Sequence, residues 1–130
     1  AVPSGASTGT LEAHELRDNE IAFLGKGVNN AVKNVNELIA PVIVGMNSEN
    51  QLEIDRKLLE LDGTKNKSII GANAILAVSM ANMVAYSKSS KRYVHELMPN
   101  IYGDPSLPVP FMNILNGGAH AETLLIFKNL

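Results

Sequence analysis

Small residues near the start of the chain form the first group that could do chemistry. Residues 4–9 read SGASTG, so two glycines accompany a run of alanine and hydroxyl side chains. Such residues let backbone N–H groups and hydroxyl oxygens approach an anion or a metal ion closely. The string lacks the Gly-Lys-Ser/Thr of a P-loop and the glycine spacing of a dinucleotide-binding motif. Taken alone, the string favours a plain flexible loop, with a ligand-binding loop as the alternative.

A histidine that follows a glycine turn is the second candidate. Residues 116–121 read NGGAHA, and His120 could contact a substrate or donate a proton. The alternative is a partly exposed histidine in a hairpin. We expect His14 and His95 to be structural or solvated, since the HELRD string that begins at His14 is not the HExxH zinc pattern.

The composition restricts the class of protein. With 130 residues, of which 45% are hydrophobic and 18% charged, we expect one soluble globular domain. The absence of cysteine excludes a disulfide framework, a thiolate metal site and a cysteine nucleophile. A net charge of -2 and 5% aromatic residues give no basis for nucleic-acid binding. The longest apolar stretch, residues 72–86, contains Asn73, Ser79 and Asn82, so it predicts a buried helix rather than a membrane span.

Hydrophobic periodicity predicts the helices that must position these groups. We expect helices at about residues 26–45, 50–61, 71–87 and 92–98. Pro41 should kink or fray the last turn of the first helix, and Gly45 should end it. Ser48 and Gln51 resemble a capping box for the second helix. The third helix has apolar residues on nearly all sides, which predicts a central place for it.

Residues outside these helices predict a loop at one end and a hairpin at the other. Residues 11–18 could form a single turn or an extended segment. Three prolines at residues 103–110 indicate an extended linker. The apolar runs at 111–115 and 124–127 read as two short strands, joined by a turn at 116–118.

Four strings, in family order and with family-like spacing, make this sequence resemble the enolases. The first is VPSGASTG at 2–9, followed by EA at 12–13 and ELRD at 15–18, and the second is LGKGVNNAVKNV at 24–35. The third is LDGT at 61–64, followed by NKS at 66–68 and GANAIL at 71–76. The fourth is LPVPFMNILNGG at 107–118, followed by His-Ala at 120–121. The resemblance runs from Ala1 to about Ala121.

The resemblance implies an α+β fold class. The chain would be a mostly helical fragment of the enolase N-terminal capping domain, with a short β-hairpin segment from the start of a β/α barrel. We expect residues 1–106 to belong to the N-terminal domain, with the active-site loop at 1–10, and residues 107–130 to form the linker and first barrel segment. The family's opening strands, and a barrel that typically needs about 250 residues, are not in this sequence.

The activity implied by the resemblance is a magnesium-dependent carbon–oxygen lyase reaction of glycolysis. It interconverts 2-phosphoglycerate and phosphoenolpyruvate. Removing a proton from a carbon next to a carboxylate builds up negative charge, which closely placed cations stabilise. Enolase-superfamily sites are a standard example of such stabilisation by metal ions. The resemblance also implies Mg²⁺ as cofactor, a homodimeric parent enzyme in the cytoplasm, and neither a nucleic-acid partner nor a membrane span.

The family's site residues carry over to a few positions only. Ser7 matches the loop serine that binds the second magnesium ion, for which its oxygen atoms are suitable donors. The neighbouring positions, which shape a lid that closes and excludes water, are Gly5, Ala6, Thr8 and Gly9. His120 matches a histidine that contacts the substrate.

The end of the sequence departs from the family pattern. After His120 the family continues to Gln-Glu-Phe, whereas the aligned stretch here is Lys128-Asn129-Leu130. No residue of this chain can be assigned the role of the proton-abstracting lysine, the acid glutamate or the carboxylates of the first magnesium ion. We therefore expect the isolated chain to be inactive. Alternatives are a non-catalytic interaction protein, which would expose apolar surface, and a truncated gene product or partial sequence.

Overall fold

The computed structural model describes Val2, residues 9–98, residues 106–112 and Ile114 of the chain. The chain divides into two units, Ala1–Pro99 and Asn100–Leu130. Over the described residues, the first unit consists of packed helices and connecting segments and contains no strand. None of the helices in this described part combines the length and the apolar character that crossing a bilayer requires.

Residues 29–43 form a continuous helical stretch with a wider turn inside it. Its segments are α1 (Asn29–Asn34), a π-helical turn (Val35–Ile39) and α2 (Ala40–Ile43). The N–H of Ala40 donates to the carbonyl of Val35, five residues back. Pro41 explains the wider turn, because in a regular α-helix its ring would clash with the carbonyl four residues earlier. The irregularity expected at Pro41 is therefore present, but in the turn that precedes it.

A short 3-10 helix (Ala22–Gly25) precedes this stretch, and three further α-helices follow it in the described part of the first unit. They are α3 (Gln51–Asp62), α4 (Ala72–Ser90) and α5 (Val94–Leu97). Gly63 ends α3 in the left-handed conformation at φ 67°, and its N–H donates to the carbonyl of Leu59 at 2.9 Å. This is the usual glycine stop of a helix, as the Asp62-Gly63 pair predicts.

The capping box predicted from Ser48 and Gln51 is wrong. Residue Asn50 precedes the helix, and it makes no side-chain cap. The Gln51 side chain turns toward α4 instead, where its Nε2 donates to the carbonyl and the hydroxyl of Ser79 at 3.2 and 3.0 Å. Gln51 therefore joins α3 to α4, and its spacing from Ser48 has no capping role.

The core lies where the π-helical turn, α3 and the start of α4 meet. Its buried apolar residues are Ala31, Ile39, Ile54, Leu58, Ile70, Ala74 and Ile75. Three of these, Ile39, Leu58 and Ile70, have no exposed surface. Burial of each such side chain contributes about 1.5–3 kcal/mol, so these three carry much of the stability of this small unit.

The third helix takes the central place predicted for it, because α4 contacts α1, the π-helical turn, α3 and α5. In α4 the buried residues are Ala74 and Ile75, both in the first turn. Farther along, Leu76, Met80 and Val84 are 39%, 44% and 43% exposed. Their spacing of four residues places them on one face, which is therefore partly exposed. The sequence could not reveal this, because an apolar helix looks the same whether or not a neighbour is present.

The second unit is described at residues 106–112 and Ile114, which form neither helix nor strand and are all exposed. Leu107, Phe111 and Ile114 are 95%, 97% and 85% exposed. The buried strand predicted at 111–115, and with it the β-hairpin of the expected fold class, is therefore not supported. A short strand needs a partner and a covered face to be stable, and the described residues supply neither. The turn at 116–118 and the strand at 124–127 lie outside the described residues.

Candidate functional site

Most of the predicted site residues lie outside the part of the chain that the structure describes. This holds for Gly5, Ala6, Ser7 and Thr8 in the loop and for His120. Gly9 is described and exposed. The structure therefore describes the segments that follow the loop and hold its end in place.

Gly9 and Glu12 close a small exposed turn at the end of the loop. The N–H of Gly9 donates to Oε2 of Glu12 at 3.0 Å, and the N–H of Glu12 donates to the carbonyl of Gly9 at 3.1 Å. Both residues are exposed, so these bonds compete with water and stabilise the turn only weakly.

Residues 13–18 form an extended segment that is fixed to the helical unit along one edge. The N–H of His14 donates to the carbonyl of Asn66 at 2.7 Å, and the N–H of Ala72 donates to the carbonyl of His14 at 2.8 Å. Two residues on, Leu16 exchanges two hydrogen bonds with the side chain of Asn73, both at 3.0 Å. Every second residue thus faces the same neighbour, as in a β-strand. Of the two structures considered for residues 11–18, the extended one is present over 13–18.

Asp18 joins the end of this segment to α1. Its N–H donates to the carbonyl of Gly27 at 2.9 Å, and its carboxylate accepts hydrogen bonds from the N–H groups of Asn29 and Asn30. The first N–H groups of a helix have no partner within the helix, and a carboxylate is favourable there because of the helix dipole. Gly27 is needed for this approach, since a Cβ there would lie 2.5 Å from Oδ2 of Asp18.

A second carboxylate, which is buried, organises the connection between α3 and α4. Asp62 is only 3% exposed, and it accepts hydrogen bonds from the Thr64 hydroxyl and from the N–H groups of Thr64, Ile69 and Ile70. Burial alone would raise the pKa of Asp62, but the bonds from Ile70, Thr64 and Ile69 outweigh it and hold the pKa below its ordinary value of 3.8. Asp62 therefore fixes the loop that presents Asn66 to His14.

A cleft of about 390 Å³ lies beside the extended segment. Its polar wall contains Glu15 and Arg17, whose side chains form an ion pair at 2.6 Å, and Arg17 also donates to the carbonyl of Lys26 at 2.8 Å. Its remaining lining is mostly apolar, with Val28 and Ala77 among its residues. The guanidinium is thus already engaged by two acceptors of the protein, so this cleft is not a ready-made anion site.

The two described histidines take no part in a cluster of reactive groups. His14 is exposed and is held through its backbone. His95 is exposed, and its ring stacks on that of Tyr93 with centroids 5.6 Å apart. Both observations agree with the expected solvated or structural role.

A magnesium site cannot be assembled from the described residues. Within them there is no group of three or more histidine, cysteine, aspartate or glutamate side chains that could hold a metal ion. Asp18 and Asp62 are occupied by backbone N–H groups, which a cation would have to displace. The only metal ligand predicted from the sequence, Ser7, lies outside the described part, so we assign no step of chemistry to a bound metal here.

Sequence reasoning missed the residues that hold the end of the loop. Asn73, Asp18 and Asp62 each bind backbone groups of a remote segment. For Asn73 and Asp62 a usable signal was present, because Gly71 and Gly63 lie beside them in the sequence and glycines permit close approach of another segment. The partner of each residue, however, is not encoded in its local pattern.

Comparison with known proteins identifies the family. A profile of the family described as "Enolase, N-terminal domain" matches residues 1–98. The enolase of Tropheryma whipplei (strain Twist) is 53% identical over 127 residues, which covers 95% of this chain and 29% of the relative. The enolase of Corynebacterium kroppenstedtii is 52% identical over 124 residues, which covers 94% of this chain and 28% of the relative. The chain therefore spans less than a third of the length of these curated relatives. These matches confirm the resemblance read from the four strings: the chain belongs to the enolase family, and residues 1–98 match its N-terminal domain.

Proposed function

We propose that this chain is the lid-bearing N-terminal part of a magnesium-dependent enolase that interconverts 2-phosphoglycerate and phosphoenolpyruvate. The observation that carries the proposal is the match of residues 1–98 to the N-terminal domain of enolases, with the loop string SGASTG at residues 4–9. The fixed segment at residues 13–18 adds support, because a loop that closes over a site needs a firm attachment.

In this proposal, Ser7 supplies oxygen donors to a magnesium ion as the loop closes. Bound magnesium would neutralise the substrate carboxylate and phosphate. The residues Gly5, Ala6, Thr8 and Gly9 shape the loop, and His120 contacts the substrate. Residues 1–106 form the partial N-terminal domain, and residues 107–130 form the linker and the first part of the barrel. A cytoplasmic location and a homodimeric parent enzyme complete the proposal.

The chain by itself supplies the lid but not the groups that move the proton. The reaction needs a base near the acidic carbon and carboxylates around a metal. Among the described residues no such metal-binding group is present, and no residue of the sequence matches the family's base. The isolated chain should therefore be inactive.

Two linked assays test the proposed function. The purified 130-residue chain should give no magnesium-dependent rise in phosphoenolpyruvate absorbance with 2-phosphoglycerate. A chimera, in which residues 1–98 replace the matching segment of Tropheryma whipplei enolase, should be active. Replacing Ser7→Ala in the chimera should lower activity at limiting magnesium by at least about tenfold, the low end of losses caused by weakening a metal site.

The control for this test is another serine of the same segment. Ser89 is exposed near the end of α4 and donates only to the carbonyl of Tyr86, so Ser89→Ala should leave the chimera's magnesium dependence unchanged. A chimera that folds but is inactive, or a Ser7→Ala variant with unaltered magnesium dependence, would contradict the proposal.

A non-catalytic interaction protein is the second candidate. The observation that favours it is the partly exposed apolar face of α4, formed by Leu76, Met80 and Val84. Exposed apolar faces of this kind serve for association. Light scattering distinguishes the two candidates, because an interaction protein should self-associate through this face, whereas a compact, stable monomer would count against it.

A further inference from the structure

Asp62 and Gly63 form a pair that is chemically reactive when a chain is unfolded. The backbone nitrogen of the residue after an aspartate can attack the side-chain carboxyl carbon. A glycine at that place leaves the approach unobstructed, because it has no Cβ. Aspartate precedes glycine at this one position of the sequence. The pair is therefore the aspartate site of this chain that is best suited to a rearrangement of the backbone.

The rearrangement consists of two balanced steps. The nitrogen of Gly63 forms a bond to Cγ of Asp62, and its proton leaves with the carboxyl hydroxyl as water, which gives a five-membered succinimide ring. Water then adds to the main-chain carbonyl carbon of Asp62, and the bond between this carbon and the nitrogen breaks. The product is isoaspartate, through whose side chain the backbone now continues. Water is the only co-reactant, and nothing is oxidised or reduced.

The fold engages the attacking nitrogen in another bond. Asp62 is the last residue of α3, and the N–H of Gly63 donates to the carbonyl of Leu59 at 2.9 Å. The nitrogen thus continues the hydrogen bonding of the helix. An attack on Cγ of Asp62 would first have to break this bond.

The carboxyl group under attack is held on both of its oxygens. Oδ1 of Asp62 accepts hydrogen bonds from the N–H and the hydroxyl of Thr64. Oδ2 accepts from the N–H groups of Ile69 and Ile70 at 3.1 and 2.7 Å. One of the two oxygens must leave when the ring closes, and the departure of either one breaks two of these hydrogen bonds. A buried donor that loses its acceptor costs free energy, so the folded state opposes the step.

The same hydrogen bonds keep the side chain in its less reactive form. Water leaves readily from the neutral acid, whereas the carboxylate has no hydroxyl to lose. Burial alone would raise the pKa of Asp62, but the hydrogen bonds outweigh it and hold the pKa below its ordinary value of 3.8. Asp62 is also only 3% exposed, which restricts the access of water for the second step.

We propose that Asp62-Gly63 is a latent site of isoaspartate formation, which reacts when the connection between α3 and α4 opens. This inference is independent of the proposed function, because it needs neither a metal ion nor a substrate. An open molecule reacts as an unfolded peptide does, and a closed one is protected. The observed rate therefore follows the fraction of open molecules, as the rates of hydrogen exchange and proteolysis do.

Conversion makes the opening permanent. The former side-chain carboxyl carbon becomes part of the peptide link to Gly63, so it no longer offers a carboxylate to Thr64, Ile69 and Ile70. An extra methylene group also enters the backbone at the end of α3. The converted chain, once purified, should therefore melt at a lower temperature than the unmodified chain. Equal melting temperatures would contradict this part of the proposal.

Peptide mapping of the full 130-residue chain measures the conversion at this site. Trypsin cleaves after Lys57 and Lys65 and releases residues 58–65, LLELDGTK, which contain one aspartate and no asparagine. The isoaspartate form has the same mass, and it is recognised by its chromatographic retention and by electron-transfer fragmentation. Because the peptide contains no asparagine, deamidation elsewhere in the chain does not disturb the measurement.

The first test compares the folded chain with the same chain unfolded in urea at neutral pH. Conversion should be roughly a hundredfold or more slower in buffer, since a folded unit of even low stability is open for under about 1% of the time. Equal rates in buffer and in urea would overturn the proposal, because the reaction would then be independent of the fold.

The second test loosens the hydrogen bonds without changing the reacting pair. The hydroxyl of Thr64 donates to Asp62 and accepts from the N–H of Ser68 at 2.9 Å. Thr64→Val removes both bonds and keeps the shape of the side chain. Conversion in buffer should be up to about tenfold faster than in the unmodified chain, which corresponds to the loss of about one net hydrogen bond. In urea the two chains should convert at the same rate.

Thr10→Val provides the matched control. Thr10 is exposed, so this substitution should leave the conversion unchanged in buffer and in urea. If Thr64→Val has no effect in buffer, or if both substitutions accelerate the conversion equally, the hydrogen bonds at Asp62 do not protect the site and the inference fails. A Thr64→Val chain that does not fold would react equally fast in buffer and in urea, and the comparison of the unmodified chain in the two solvents then decides.

Discussion

The carboxylate of Asp18 lies against the first turn of α1, where its Oδ2 accepts a hydrogen bond from the N–H of Asn29 at 2.8 Å. Its Oδ1 accepts a second one from the N–H of Asn30 at 2.9 Å. Two N–H groups at a helix start are thus satisfied by a residue from outside the helix. The segment that follows the loop is thereby joined to α1 at one end and to α4, through Asn73, in its middle.

Removing the charge of Asp18 should destabilise the unit. Asp18→Asn loses the ion's interaction with the helix dipole. Because its amide has a single acceptor oxygen, one of the two hydrogen bonds is also lost, so we expect the free energy of unfolding to fall by about 1–2 kcal/mol. Urea denaturation at neutral pH measures this loss in the free energy of unfolding. The exposed residue Glu20 gives the control, because Glu20→Gln makes the same charge change and should stay within about 0.5 kcal/mol. Equal losses in the two variants would indicate a general charge effect instead of a cap.

Gly71 should tolerate no side chain, although another glycine with a similar backbone conformation should. Gly71 and Gly45 have φ values of 100° and 94°. Gly45 has open space around it, whereas a Cβ at Gly71 would meet Leu16 at 2.6 Å. We expect Gly45→Ala to cost about 1 kcal/mol, from backbone strain alone, and Gly71→Ala at least about 2 kcal/mol more. Thermal denaturation of both variants checks the difference, and equal costs would show that Leu16 does not pack against Gly71.

The stabilisation by Asp62 should depend on pH in a defined direction. Its folded pKa lies below the ordinary 3.8 because hydrogen bonds from Ile70, Thr64 and Ile69 outweigh the opposing effect of burial. A lowered folded pKa means that the contribution is complete above the unfolded pKa and is lost as the pH falls through the folded pKa. Asp62→Asn should therefore cost about 1–3 kcal/mol at pH 7, and the difference between the unmodified chain and the variant should shrink at pH 3.

Asp55 supplies the control for this pH dependence. It lies on the same helix and accepts a single described hydrogen bond, from Gln51 at 2.9 Å, and it is only partly buried. Asp55→Asn should change the free energy of unfolding by less than about 1 kcal/mol. If both substitutions lower the free energy of unfolding equally at pH 7, the hydrogen bonds to Asp62 stabilise the unit no more than the single bond to Asp55 does.

Two leucines of α3 should differ sharply when shortened. Leu58 has no exposed surface, whereas Leu52 is 79% exposed. Leu58→Ala leaves a cavity in the core and should cost about 2–5 kcal/mol. Leu52→Ala should cost less than about 0.5 kcal/mol. Urea denaturation of the two variants compares them within one helix, and a small loss for Leu58→Ala would mean that the site collapses to fill the cavity.

The helices could be read from the sequence because their signals are local. Apolar residues at spacings of three and four indicate an amphipathic helix wherever it lies in the chain. The Asp62-Gly63 pair marks the end of α3 because only glycine adopts the left-handed conformation at low cost. The four strings, of which VPSGASTG is the first, also sufficed to place the chain in the enolase family.

The way in which the loop is held could only be seen in three dimensions. Leu16 and Asn73 are 57 residues apart, Asp18 and Asn29 are 11 apart, and Asp62 and Ile70 are 8 apart. An asparagine or aspartate near a glycine reads as an ordinary turn residue, and nothing in its neighbourhood names the distant backbone group that it binds.

The same limit applies to the burial of α4 and to the strand expected at residues 111–115. The residues of α4 are apolar on nearly all sides, but burial depends on which elements lie next to the helix. Its fully buried residues lie in the first turn, whereas Leu76, Met80 and Val84 are partly exposed. The apolar run at residues 111–115 has the composition of a strand, but a strand exists only with a partner to bond. Local preferences in this sequence therefore determined the helices and the family. Tertiary contacts decided which apolar faces are covered and that Asn73, Asp18 and Asp62 hold the end of the loop, since each of those outcomes requires a second segment to be present.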